Sequence, residues 1–274
     1  VEAYDNSVEV TTLQELEELI FEPDKMRMQA LLVRERILGS QHPDTSYYIR
    51  YRGAVYADTG NFDRCIKLWK YALDIQPKAG LNGTTQSVLL SFIELFSYMM
   101  SKSLVIVRFD DLFDIFKRSL LELNLVVNAN INQDSENYNS LLFIILNFIG
   151  LLCNLRPVLT AIQEDKFKQQ VYNLIKLNPK GKNGSSLVHL VCSGKTSLLK
   201  SSIYTISMLN VLELLLAAGA SSNSLDVDLN TPLHIAATLK DYEIEFFDLL
   251  LKNGAHLDVR NALGKMPLEI SNNS

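Results

Sequence analysis

Apolar residues recur at helical spacing along most of the chain. Phe62, Ile66, Trp69 and Leu73 follow steps of four, three and four, and so do Met26, Ala30, Val33 and Ile37. Each set therefore falls on a single face of a helix. Two related tetrads, ALLV from Ala30 and ALDI from Ala72, lie 42 residues apart near the ends of these patterns. Another helix is predicted between them. Pro43 suits the first helical position, where its missing N–H costs nothing, and Asp44 favours the positive end of the dipole. His42 is therefore expected at the cap. Gly60 with Asn61 closes that helix and opens the next.

From Thr84 to Lys176 the pattern stays helical without an obvious repeat, and helices are predicted near 84–103, 109–127, 138–154 and 164–176. The Asn-rich stretch from Asn124 to Asn139 is predicted to be a loop, because Asn competes for backbone hydrogen bonds. The run LLFIILNFIGLLC, Leu141 to Cys153, is too short to span a bilayer and contains Asn147. A buried helix is predicted there.

Two repeat signatures emerge from these patterns. Gly53, Tyr56, Phe62, Trp69, Ala72 and Pro77 resemble the tetratricopeptide (TPR) register, with Cys65 in place of the usual small alanine. Gly53 and Ala72 let two helices approach, and Tyr56 and Trp69 fill the space between them. After Lys180, NTPLHIAA (Asn230 to Ala237) followed by LLLKNGAHLDV (Leu249 to Val259) resembles an ankyrin unit. An earlier unit starts at Gly184 and carries about ten extra residues near Lys195 to Tyr204. A third starts at Gly264 and stops at Ser274. Leu229 stands where the motif has its turn glycine, and Met266 and Glu269 replace its threonine and histidine. The expected fold is all-α: TPR-like repeats over 1–80, a helical spacer over 81–180, and ankyrin repeats over 181–274, the last truncated.

Composition narrows the chemistry. A net charge of −5 over 274 residues argues against electrostatic attachment to nucleic acid or an anionic membrane. Lys166, Lys168, Lys176, Lys180 and Lys182 read as a solvated helix face. Cys65, Cys153 and Cys192 lack CxxC spacing and fit buried thiols in a reducing compartment, cytoplasmic or also nuclear. No secretory signal opens the chain, and a start at Val1 rather than Met suggests a fragment or a processed chain. His42, His189, His234 and His256 form no metal-ligand spacing, and no phosphate loop or nucleophile elbow occurs. Asp110–Asp111 and Glu164–Asp165 read as helix N-terminal carboxylates. Neither a cofactor, a metal nor a catalytic residue is expected.

What remains is surface. Ile49, Gly53 and Tyr56 are expected to face the partner helix, leaving Tyr47, Arg50, Ala54 and Asp58 on the other side. Tyr47, Arg50 and Asp58 are the expected peptide-contact residues, since Tyr and Arg dominate binding hot spots. A solvated flank or a contact with another repeat is the alternative.

The stretch MRMQALLVRERILGSQHPDTSYYIRYRGAVYADTGNFDRCIKLWKYALDIQ resembles the TPR region of the Fem (feminization) homologs, A and C types. TLQELEELI (Thr12 to Ile20), GKNGSSLVHL, NTPLHIAA and NGAHLDVRNA follow in the order found in that family. The resemblance implies a non-catalytic substrate receptor of a cullin-2 RING ubiquitin ligase. Such a protein captures C-terminal degrons, often ending in arginine, and reaches the cullin through elongin B and elongin C. In that family an N-terminal ankyrin array forms most of the degron pocket, and a C-terminal box docks elongin and cullin. This chain contains neither. SLLKSSIYTI (Ser197 to Ile206) fits only a loose elongin-box pattern. The 42-residue TPR spacing and the LGxxHPDT insertion also resemble kinesin light chains, so a non-ligase scaffold or cargo adaptor is the rival expectation.

Overall fold

A computed structural model describes residues 1–76, 83–102, 105–129, 135–194, 206–238 and 244–271, and all regular structure among them is helical. The chain divides into two compact units, Val1–Ala79 and Gly80–Ser274.

The first unit contains α1 (Leu13–Leu19), α2 (Pro23–Leu38), α3 (Pro43–Asp58) and α4 (Phe62–Asp74). Thr12 and Glu15 cap α1 reciprocally, each side chain accepting from the other's backbone N–H. Pro43 opens α3 and the His42 ring is its cap, Nδ1 accepting from the Asp44 N–H at 3.2 Å. Gly60 takes the left-handed conformation (φ 77°) that turns the chain into α4. The α3/α4 hairpin is the main packing contact of this unit, with Ile49, Tyr56, Ile66, Trp69 and Ala72 buried along it.

The face expected on α2 is not the buried one. Met28 and Leu31 are buried, whereas Met26, Ala30 and Ile37 are exposed. The helix is covered along a narrower stripe than its apolar residues offer, and its flank carries polar contacts to residues 8–10 instead.

The second unit opens with α5 (Gly83–Ser101), α6 (Phe109–Asn128), α7 (Glu136–Leu155) and α8 (Ala161–Leu177). At its centre α7 packs against α5, α6, α9 (Leu187–Cys192) and α10 (Met208–Ala217). Its apolar run is long enough to cross a membrane by composition, yet nearly every residue from Leu141 to Cys153 is covered by protein. Asn147 satisfies its amide on the Phe143 carbonyl one turn back, at 2.7 Å. The Asn-rich loop is shorter than expected, since α6 runs to Asn128 and α7 begins at Glu136. Asn124 and Asn139 sit inside helices, their amides donating to carbonyls four residues back, while burial of Val126 and Tyr138 holds the backbone helical.

Then come α11 (Pro232–Ala236), α12 (Ile244–Lys252) and α13 (Pro267–Ser271). Helices α9/α10 and α11/α12 form two successive pairs, and α13 packs against α11. His189 and His234 are buried struts between units. The Nδ1 of His189 accepts from the Ser186 N–H at 3.2 Å, and its Nε2 lies 2.9 Å from the Asn230 carbonyl of the next unit. His234 repeats the arrangement with the Thr231 N–H (3.0 Å) and the Lys265 carbonyl (3.1 Å). Gly184, Leu229 and Gly264 occupy equivalent left-handed turn positions at φ 69°, 59° and 74°. The insertion near Lys195 to Tyr204 and most of the Ser197 to Ile206 stretch lie outside the described residues. Ile206 itself packs against Gly150 of α7.

Candidate peptide-contact face

The outer side of α3 carries Tyr47, Tyr51, Ala54 and Asp58 at successive steps of four, three and four, so they form one stripe. From Tyr47 to Asp58 the stripe is about 16 Å long, the reach of about five extended residues. Tyr47 and Tyr51 are 58% and 60% exposed, and Asp58 is exposed. Tyr47 meets Tyr48 edge-on with ring centroids 5.2 Å apart, and the Arg34 guanidinium lies 3.5 Å from the Tyr48 ring centroid. Tyr48 is therefore braced by an aromatic edge on one side and a cation on the other.

Arg50, one turn from Tyr47, is half-buried. Burial pushes its guanidinium below the ordinary arginine value. Its backbone carbonyl accepts the Trp69 indole N–H at 2.9 Å, tying the stripe to the α3/α4 core. Tyr47 and Arg50 are thus brought together, while Asp58 lies two turns beyond Arg50. Tyr51 and Tyr48 were not singled out from the sequence, although the four-residue step from Tyr47 to Tyr51 was there to read.

A second polar cluster braces the α2 end of the unit. Asp24 receives both Arg52 and Arg64, together with the Tyr56 hydroxyl at 2.8 and 3.0 Å. Partial burial pushes the Asp24 carboxyl up, but Tyr56, Arg64 and Arg52 outweigh it and hold the group below its ordinary value. Tyr56 therefore fills the helix interface and also anchors α2.

The remaining titratable chemistry is structural. Cys65, Cys153 and Cys192 are buried free thiols, and burial raises all three, Cys153 and Cys192 to about 12. Among the described residues no cluster of His, Cys, Asp or Glu is arranged to hold a metal ion. A cavity of about 410 Å³ opens between α6 and α8, lined by Leu120, Leu123, Asn124, Gln170, Asn173 and Leu174 among others. Its polar groups are the amides of Asn124, Gln170 and Asn173 and the Lys176 ammonium, with no carboxylate or imidazole beside them to form an acid–base pair.

Residues 228–262 match the ankyrin repeat family. The chain is 48% identical over 269 residues to Fem-1 homolog C of Mus musculus, covering 94% of this chain and 43% of that protein. The same figures hold for Fem-1 homolog C of Homo sapiens. Fem-1 homolog A-A of Mus musculus is 45% identical over 278 residues, covering 98% of this chain and 42% of its own length. The chain thus spans less than half the length of the curated relatives it matches. At 45–48% identity over nearly its whole length, the chain belongs to the Fem-1 homolog family.

Proposed function

We propose that this chain is part of a substrate-recognition subunit of a cullin-2 RING ubiquitin ligase. It contributes to capture of C-terminal degrons for ubiquitination and proteasomal degradation. The observation that carries the reading is the Fem-1 match at 45–48% identity across nearly the whole chain, on an all-helical TPR and ankyrin scaffold. Elongin B/C and cullin-2 are the proposed partners, in the cytoplasm or nucleus. The chain itself would work as a non-catalytic adaptor. Arrays of helix pairs present extended surfaces suited to another polypeptide rather than a reaction pocket.

Pull-down of the complete protein with elongin B/C and cullin-2 tests the assignment. Co-purification of all three supports it, and failure to associate removes the ligase reading. The isolated segment is expected not to bind elongin C. Tight binding would bring the Ser197 to Ile206 stretch back as a docking box.

A further inference from the structure

The first ten residues lie across the outer side of the α2/α4 pair in a manner that resembles a bound peptide. Tyr4 is fully buried, its hydroxyl donating to Glu35 at 2.7 Å and its ring meeting Tyr71 edge-on at 5.4 Å. Asp5 pairs with Arg64. Four residues past Tyr4 the backbone is read by one side chain. The Gln29 amide donates to the Val8 carbonyl at 2.7 Å and accepts from the Val10 N–H at 3.0 Å. Arg36 holds Glu9 between them through two bonds, at 2.7 and 2.9 Å.

The reading groups are regularly placed. Gln29 and Arg36 lie seven residues apart on α2, and Arg64 and Tyr71 seven apart on α4, so each pair shares a helix face. Two-point amide recognition of a main chain is indifferent to side chains, while the tyrosine pocket and two arginines supply selectivity. Beyond Tyr4 the contacts are peripheral: the Val8 side chain is 82% exposed and the Glu9–Arg36 pair faces solvent. Asp5 and Asn6 are both left-handed, at φ 53° and 55°, a strained link between the two halves of the segment.

We propose that the α2/α4 face is a binding groove for an extended, acidic, tyrosine-bearing segment of a partner protein. Residues 4–10 of this chain occupy it in cis as a displaceable strap. The groove reads tyrosine, then an acid at the next position and another at the fifth, with main-chain contacts on either side of the latter. This goes beyond the ligase reading and does not depend on it.

The test is fluorescence anisotropy of a fluorescein-labelled peptide, EAYDNSVEVT, titrated with the full 274-residue chain. The wild-type chain binds weakly, because its own strap competes. Glu9→Lys loosens the strap at an exposed ion pair and improves peptide affinity roughly fivefold. Tyr4→Ala with Glu9→Lys improves it by roughly a hundredfold. Arg36→Glu loosens the strap and this peptide alike, so affinity for EAYDNSVEVT changes little, while EAYDNSVKVT is bound more tightly. Peptide affinity that stays unchanged or undetectable in Glu9→Lys and in the double variant, with helical circular dichroism intact, overturns the proposal. So does an Arg36→Glu chain with no preference for the lysine peptide. Should the double variant lose its helical signal, the Glu9→Lys and Arg36→Glu comparisons decide.

Discussion

The Trp69 indole lies directly on the backbone of Gly53. A Cβ at Gly53 would stand 2.4 Å from Nε1 and 2.5 Å from Cδ1 of the ring. That contact sets the closeness of α3 and α4 and lets Trp69 reach the Arg50 carbonyl. Alanine would gain about 1 kcal/mol of helix propensity over glycine, but overpacking at this distance costs more, since neither the ring nor the helix can yield cheaply. Gly53→Ala is expected to destabilise the first unit by about 1–2 kcal/mol net. Trp69 is the sole tryptophan, so its fluorescence during urea unfolding reports this directly.

Asp24 tethers α2 to α3 and α4 through Arg52, Tyr56 and Arg64. The Arg52 side chain is only 9% exposed, so removing the carboxylate leaves a buried guanidinium without its acid. Asp24→Ala is expected to cost about 1–2 kcal/mol, less than a fully buried pair because Asp24 itself remains partly hydrated. The same fluorescence-monitored urea titration measures it.

The helix pairs and the ankyrin repeat were legible because their signals are local. Glycine, proline and histidine at fixed offsets mark the turns, and the spacing of Phe62, Ile66 and Trp69 marks one helix face. The α2 face was misread for a physical reason: apolar periodicity says which residues can be covered, not which neighbours arrive to cover them. Among the described residues Met26 and Ile37 stay exposed. The Asn-rich stretch misled in the opposite direction, because tertiary burial outweighed a local preference for turns. Contacts such as Tyr4 with Glu35, 31 residues apart, leave no periodic trace at all. On α3, the exposure of Tyr47 and Asp58 followed from opposing them to Ile49 and Tyr56, while the half-burial of Arg50 needed the fold.

Leu229 occupies a left-handed turn position that Gly184 and Gly264 fill in the flanking units. A leucine there carries roughly 1–2 kcal/mol of backbone strain, partly offset by the greater chain entropy glycine would lose on folding. Leu229→Gly is therefore expected to stabilise the second unit by about 0.5–1 kcal/mol, read as a raised midpoint in thermal or urea unfolding.

His189 makes the second unit sensitive to acid. Burial holds its imidazole below the ordinary value of 6.5, against a smaller upward pull from the Asn230 carbonyl. Its Nδ1 accepts the Ser186 N–H, so a proton there would face a donor. As pH falls below about 6.5 the unfolded chain binds that proton first. The stabilisation is therefore complete above that value and is lost as pH drops towards the folded-state value. Urea midpoints of this unit should fall between about pH 7.5 and 5.5, and His189→Gln should flatten the slope.

The central claim is that stacked helix pairs present a face for another polypeptide. Capture of an array of C-terminal peptides ending in arginine by the complete protein tests it, comparing wild type with Tyr47→Ala/Arg50→Ala and following thermal unfolding of the same samples. The account predicts roughly tenfold weaker capture with the midpoint shifted by less than about 2 °C. Unchanged capture, or a loss of binding that tracks a collapse in thermal stability, would contradict it.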